Sequence, residues 1–430
     1  MLNKAILATW DEIMTHSPEE MVPMVQAALL GQTFGLLSGE PKHMLIVDAF
    51  HGTVISWARR NKMFQARHSP HTYASLALVD CQDAWRRWSK TEEIIRLVAA
   101  LHIHDAEIAS VLHHAPLLRR AAVDLAKPAP DQLFYKNSRE WYAQTRESIS
   151  PITQPKSRMT GGSPKVICDT RTPHSSSLSA FADLEGILAA ISEKKHSDSL
   201  DEVAQRRLTN ELLEFRGRHL ALRSADVDSF SLHILWHLCF MSLVTDFDLL
   251  ERAIGRDGQQ IDAAERDRVG VWAASQNAPR SKAHMQQIVQ HLEAFPIGLE
   301  PTIHVPRAAF TVAISWYCCF YYMPTNEDRQ PTPVEHAELK ALGLDPDVWS
   351  RVNGDSALEV KDVLRRLSDL LQRLGHWEIA RKFAAIIKSY HDPHSWLKGC
   401  AEVLVAVVTP PPALRDLYMQ RRRTCLHGQR

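Results

Sequence analysis

Apolar residues recur at steps of three and four along most of the chain, the period of helices that bury one face. The clearest stripe is Ile94, Leu97, Val98, Leu101, Ile108, Val111 and Leu112, within one long helix predicted over residues 85–119. Residues 26–37 form an apolar run that stops at Ser38-Gly39, and residues 44–60 carry a second amphipathic run. Further helices are expected at 181–191 and 200–222. Residues 231–254 are apolar almost all round and close on Gly255, a C-cap signal. Pro306 opens the next buried helix in its first turn. Val360, Leu364, Leu367, Leu371 and Leu374 alternate steps of four and three before Gly375, and 376–390 supply an antiparallel partner. No segment has the two-residue period of a strand, and no internal repeat is evident. The prediction is an all-α fold, a large multi-helix bundle or array.

Between 125 and 178 the periodicity dissolves into KPAP, ISPITQPKSRMTGGSPK and RTPHSSS. Such composition buries too little apolar area to offset ordering, so this stretch reads as a long disordered insertion or linker. It separates an N-terminal part of the helical domain (1–124) from a C-terminal part (179–408). A Pro-rich and basic tail (409–430) follows, with TPPP at 409–412 and a run at Arg421, Arg422 and Arg423.

Composition changes the picture mainly by exclusion. The 430 residues are 45% hydrophobic and 23% charged, with 50 Lys plus Arg against 50 Asp plus Glu. A protein that grips nucleic acid by itself usually shows a basic surplus, and none exists here. The seven cysteines never fall two residues apart, so no zinc knuckle is written in the chain. They read as reduced, buried thiols of an intracellular protein. Residues 1–16 carry charges too early for a signal peptide. Residues 308–326 are uncharged over nearly a bilayer's length, but contain Thr311, Ser315, two cysteines and three tyrosines. A fully buried helix is expected there, not a membrane span.

His104 and Asp105 fall inside the apolar stripe, where an unsatisfied polar group would cost about 1–3 kcal/mol. They and His102 invite a metal reading, because metal-dependent phosphohydrolases use an adjacent His-Asp pair. That chemistry needs further ligands, for which His51, His233, His237 and Asp246 are the candidates. Twenty-two histidines make such sets easy to assemble, so a satisfied core network is the preferred reading. His233 and His237 have the spacing of a zinc-protease helix, but Ile234 stands where the general base belongs. The leucine stripe at 360–374 spans barely two heptads, too short to require a dimer seam. No phosphate loop, nucleophile elbow or dinucleotide fingerprint occurs. Catalytic, metal and cofactor-binding residues are therefore expected to be absent, and the chain is not read as an enzyme.

The same helix carries a resemblance. Trp85, Trp88 and Glu92 form a W-x-x-W-x-x-x-E opening before HIHDAEIA, with HHAPLLR after it. This resembles a landmark of the fungal-specific transcription factor domain, the helical regulatory region of zinc-finger and zinc-cluster activators. QAALLGQTFGLLSG, AFHGTVISWARRNKMF and the stretch containing His233 and His237 are similar to further landmarks in the family's order. So are VWAASQNAPRSKAHMQQI, with Trp272, Arg280 and His284, then IHVPRAAFTVAISWYC and GHWEIARKFAAIIKSY. The resemblance implies a nuclear transcription regulator, of a kind that often controls metabolic or secondary-metabolite gene clusters. His102, His104, Asp105, His233, His237, Trp272, Arg280 and His284 would be its structural motif residues. Relatives usually carry an N-terminal DNA-binding module with paired fingers or a six-cysteine cluster, and their regulatory domain begins some helices earlier. Residues 1–430 contain neither module, so the expected regulator lacks its own reading head and its first helices leave an apolar face uncovered. It would touch DNA only indirectly, through the transcription machinery or an intact family member, with an unidentified small molecule as possible effector and no cofactor. The alternatives are an adaptor that pairs with an intact relative, and a metal-dependent His-Asp hydrolase.

Overall fold

Helix starts follow capping chemistry written in the chain. The Asp80 carboxylate accepts from the backbone N–H groups of Gln82 and Asp83, and Asp201, Asp246 and Asp262 do the same three residues ahead. Each satisfies donors that a first helical turn leaves orphaned. Pro41, Pro70 and Pro306 occupy first turns, where their missing N–H costs nothing. The computed structural model describes residues 18–120, 125–149, 176–221, 228, 230–256, 261–296, 298–323, 336–344, 357–374 and 376–389. Among these every regular element is helical and no strand occurs, so the fold is all-α.

The first helices are α1 (Pro18–Leu37), α2 (Pro41–Arg60), α3 (Pro70–Ala77) and α4 (Cys81–Val111). Two shorter ones, α5 (Asp131–Phe134) and α6 (Ser138–Ile149), precede α7 (Ser177–His196) and α8 (Glu202–Phe215). Then come α9 (Leu232–Val244), α10 (Phe247–Ala253), α11 (Ala263–Ala273) and α12 (Asn277–Glu293). The last are α13 (Val305–Tyr321), α14 (Ala337–Ala341), α15 (Ala357–Arg373) and α16 (Glu378–Ser389).

Helix α4 has 31 residues, which at 1.5 Å per residue is roughly 46 Å of rod. It ties three apolar clusters together. Its first turns, through Ala84 and Trp88, pack with Tyr73 and Trp141. Its middle, through Leu97, Val98 and Leu101, packs with Val25, Ala28, Val54 and Trp57 from α1 and α2. Its last turns, through Ile103 and Ile108, join the main core of α7, α9, α12, α13, α15 and α16. That core also holds Leu36, Met44 and Val47, so residues from both sides of the 150–175 stretch share it. The leucines of α15 are spent inside the chain, against α13 and α16, and Phe310 stacks on Phe383 at 4.1 Å. On α1, Leu30 and Phe34 stand one turn apart and are 72% and 66% exposed.

Three elements differ from the sequence expectation. The long helix ends at Val111 rather than running to 119, because His113 turns at φ 51° and Asp105 takes the N–H groups of Leu117 and Leu118. The 231–254 run is two helices bent by 81°, since Asp246 caps a new helix that starts at Phe247, accepting from Leu249 N. The aperiodic stretch begins later than 125. Trp141 of α6 is buried against Trp88, and Asp131 binds Arg96, Ser176 and Ser177. The rest of the expected insertion, 150–175, and the tail with Arg421 to Arg423 lie outside the described residues. Helix α13 is buried almost throughout. Among the described residues no single helix is long and apolar enough to cross a membrane, and only the bent pair α9–α10 passes on length and composition.

Candidate functional site

The end of α4 places His102, His104, Asp105 and Glu107 within two helical turns, all buried. A helix turns about 100° per residue, so these four side chains leave in different directions and meet different helices.

Asp105 faces α2. Its Oδ1 lies 2.8 Å from His51 Nε2 and accepts from Leu117 N at 3.1 Å, while Oδ2 accepts from Leu118 N at 2.7 Å. His51 Nδ1 lies 3.3 Å from Gln32 Oε1, extending the chain of contacts to α1. Burial pushes the Asp105 carboxyl up, but the His51 hydrogen bond and charge and the two backbone donors outweigh it, leaving the pKa below the ordinary value. One carboxylate thus fixes the angle between α2 and α4 and the path of the exit loop.

Glu107 faces α13. Arg307 grips it with two bonds, Nη2 to Oε1 at 2.8 Å and Nε to Oε2 at 3.2 Å. Glu185 of α7 and His304 at the head of α13 complete the cluster, with ligand atoms of Glu107, Glu185 and His304 all within 4.8 Å of one another. His304 Nε2 lies 3.2 Å from the Ser231 carbonyl, so it carries the hydrogen and leaves Nδ1 as a bare acceptor. As carboxylates, Glu107 and Glu185 would repel, and Glu185 has no other donor. Burial and then the Glu107 charge push the Glu185 pKa well up. Burial also opposes the Glu107 charge, but Arg307 overrides it and holds that pKa down. The two shifts run in opposite directions, so the neutral form is favoured at Glu185 and the charged form at Glu107. Burial takes His304 to about 4, so it is neutral. The charge pairing that holds the cluster is the two-bond contact of Arg307 with Glu107.

This trio is the one group among the described residues with metal-like ligand spacing. Arg307 already engages both oxygens of Glu107 and supplies the positive charge a metal would bring. A metal would have to expel the Glu185 proton and sit beside a guanidinium, so the donor set fits an ion pair better than a cation. The nearby Cys239 thiol is pushed well up by burial and stays protonated, so it is no nucleophile.

His104 has no hydrogen-bond partner on either ring nitrogen and meets His51 edge-on at 5.5 Å. Burial, then the neighbouring His51, lowers its pKa to about 3. His102 is also lowered, chiefly by burial, and packs where α4 crosses α7 at Gly186. A Cβ on Gly186 would sit 3.0 Å from His102 Nε2. Gly186→Ala is therefore expected to cost about 1–3 kcal/mol, the range for overpacking a filled core. Unchanged urea unfolding would show that His102 yields freely.

The remaining motif residues form a second polar seam. His237 of α9 and His284 of α12 approach Nδ1 to Nδ1 at 2.9 Å, and His284 stacks on Phe240 at 4.8 Å. Burial drives both well below the ordinary histidine value. His233 turns instead to Asp228 at 2.9 Å. Trp272 donates to the Val244 carbonyl at the α9–α10 bend, and Arg280 pairs with Glu338 of α14. The metal set considered from sequence is not gathered. His51 does reach Asp105, but His233 and His237 sit in the second seam and Asp246 caps α10. Sequence reading missed Glu107, Glu185, His304 and Arg307. The available signal was a charged residue inside each of three apolar helix stretches, which demands buried opposite charge.

Comparison of the chain with protein-family models, with curated proteins and with solved structures finds no match.

Proposed function

We propose that this chain is the helical regulatory domain of a fungal zinc-finger-type transcription regulator. It acts in the nucleus on metabolic or secondary-metabolite genes, without a DNA-reading module in residues 1–430. The observation that carries this reading is the fate of the HIHDAE side chains. Asp105 and Glu107 are fully engaged in joining α1, α2, α7 and α13, and among the described residues the histidines beside them, His104 and His304, are buried away from solvent. A hydrolase would leave such groups facing a substrate cleft. A regulatory domain needs them only to hold one packing arrangement. The balanced charge and the absence of paired cysteines support indirect contact with DNA, through the transcription machinery or an intact relative.

Fusing the full chain to an unrelated DNA-binding module in a fungal reporter strain tests the reading. Reporter output should shift by at least about fivefold, or about 1 kcal/mol in the controlling equilibrium. A nuclear, folded fusion that leaves the reporter unchanged would sink it. The purified chain should show no sequence-selective mobility shift at about 150 mM salt, where weak phosphate contacts fade. Nanomolar, sequence-selective binding by the chain alone would contradict indirect action.

A further inference from the structure

A cavity of about 550 Å³ opens between the end of α4, the last turns of α7 and the α9–α10 bend. Its size falls within the roughly 300–1,000 Å³ of small-molecule sites. Leu188, Ile191, Leu243 and Phe247 give it an apolar wall, and Lys195 and Thr245 line it beside them.

The charges around Lys195 are unequally answered. Asp246 caps Leu249 N and lies 3.4 Å from Arg268, and Asp248 pairs with Arg256 at 2.6 Å. His113 pairs with Glu251 at 2.8 Å, His196 lies against the carbonyls of Ser192 and His113, and Asp198 stands exposed at the rim. The Lys195 ammonium, by contrast, donates to a neutral acceptor, the Thr245 carbonyl, and stands 5.9 Å over the Phe247 ring. Lys195 as a whole is half-buried at the cavity wall. Burial lowers its pKa to about 8, against a smaller pull from Asp246. Lys194 and His196 suit the negative end of α7, an ordinary structural role. Lys195 instead crosses to the α9–α10 bend and keeps two of its three donors unspent.

We infer that this cavity binds a small organic carboxylate with an apolar body, its acid group paired with the Lys195 ammonium and its tail along Leu188, Ile191 and Phe247. The inference stands apart from transcription, because it needs only a folded chain.

Calorimetric titration of the full chain with octanoate, against 1-octanol as the neutral probe, tests it. Octanoate should bind saturably, one per chain, and at least about tenfold more tightly than octanol. Affinity should hold near pH 7 and fall above about pH 8, because the amine loses its proton and charge there. Lys195→Met should weaken octanoate at least about tenfold and remove that pH dependence. Leu188→Trp, which fills the wall, should abolish binding of both probes, and Lys127→Met, at a surface pair with Asp183, should change nothing. Failure to saturate with octanoate, equal binding of octanol, or undiminished binding by folded Lys195→Met would each overturn the proposal.

Discussion

Arg307→Met should lower stability by about 3–5 kcal/mol in urea unfolding, the range for removing one partner of a buried ion pair. The loss is large because, among the described residues, Arg307 is the only cation bound to Glu107, and Glu185 beside it has its pKa pushed up by burial and by the Glu107 charge. Without the guanidinium, Glu107 must stay charged in a dry core or take up a proton. The second course gives the variant a signature. A carboxyl whose folded pKa is raised stabilises fully below its unfolded value, near 4.3, and that contribution is lost as pH rises through the folded pKa. The variant should therefore regain part of its stability as pH falls from 8 to 5. Replacing both partners, Glu107→Met with Arg307→Met, should cost less than Arg307→Met alone, since no charge is stranded. If the single variant is too unstable to purify, the double variant still reports. Equal stability of Arg307→Met and the wild-type chain would show that the pair is not what holds α4 to α13.

The helical class was legible because the 3.6-residue stripe recurs in nearly every segment. Asp80, Asp201 and Asp262 announce their helices locally. What the chain hides is pairing across distance. Glu107 and Arg307 are 200 residues apart, and His237 and His284 are 47 apart. A stripe shows that Glu107 is buried but not which helix answers it. The bend at Asp246 was hidden for another reason. Apolar residues on both sides of Thr245 read as one run, and only the capping carboxylate separates α9, buried almost all round, from the half-buried α10. Likewise 125–149 looked aperiodic because α5 and α6 are short and amphipathic, anchored mainly by Trp141 and by the Asp131 contacts. The His102–His104–Asp105 motif stands out in the apolar stripe, but its two-sidedness does not. Asp105 serves the α1–α2 side and Glu107 the main core, two residues apart on one helix.

Asp105 provides the second large effect. Asp105→Asn keeps the shape but removes the charge that draws His51 and two backbone donors, and should cost about 2–4 kcal/mol; hydrogen bonds to charged groups contribute about 1.5–3 each and do not add fully. Asp105→Leu should be at least as costly, because it leaves His51 and the N–H groups of Leu117 and Leu118 buried without their acceptor. The folded pKa of Asp105 lies below its unfolded value, so its stabilisation is present above about pH 4 and is lost as pH falls through the folded value. The gap between wild type and Asp105→Asn should therefore be full at pH 7 and narrow towards pH 3. His104→Leu separates packing from hydrogen bonding. His104 is neutral, fully buried and partnerless, so an apolar side chain of similar size should cost under about 1 kcal/mol or stabilise. The same variants test the hydrolase alternative. Phosphomonoester hydrolysis by the wild-type chain with added divalent metal, lost in Asp105→Asn without loss of stability, would make this helix catalytic. Instability with no such activity in either protein is what a carboxylate committed to the exit loop requires.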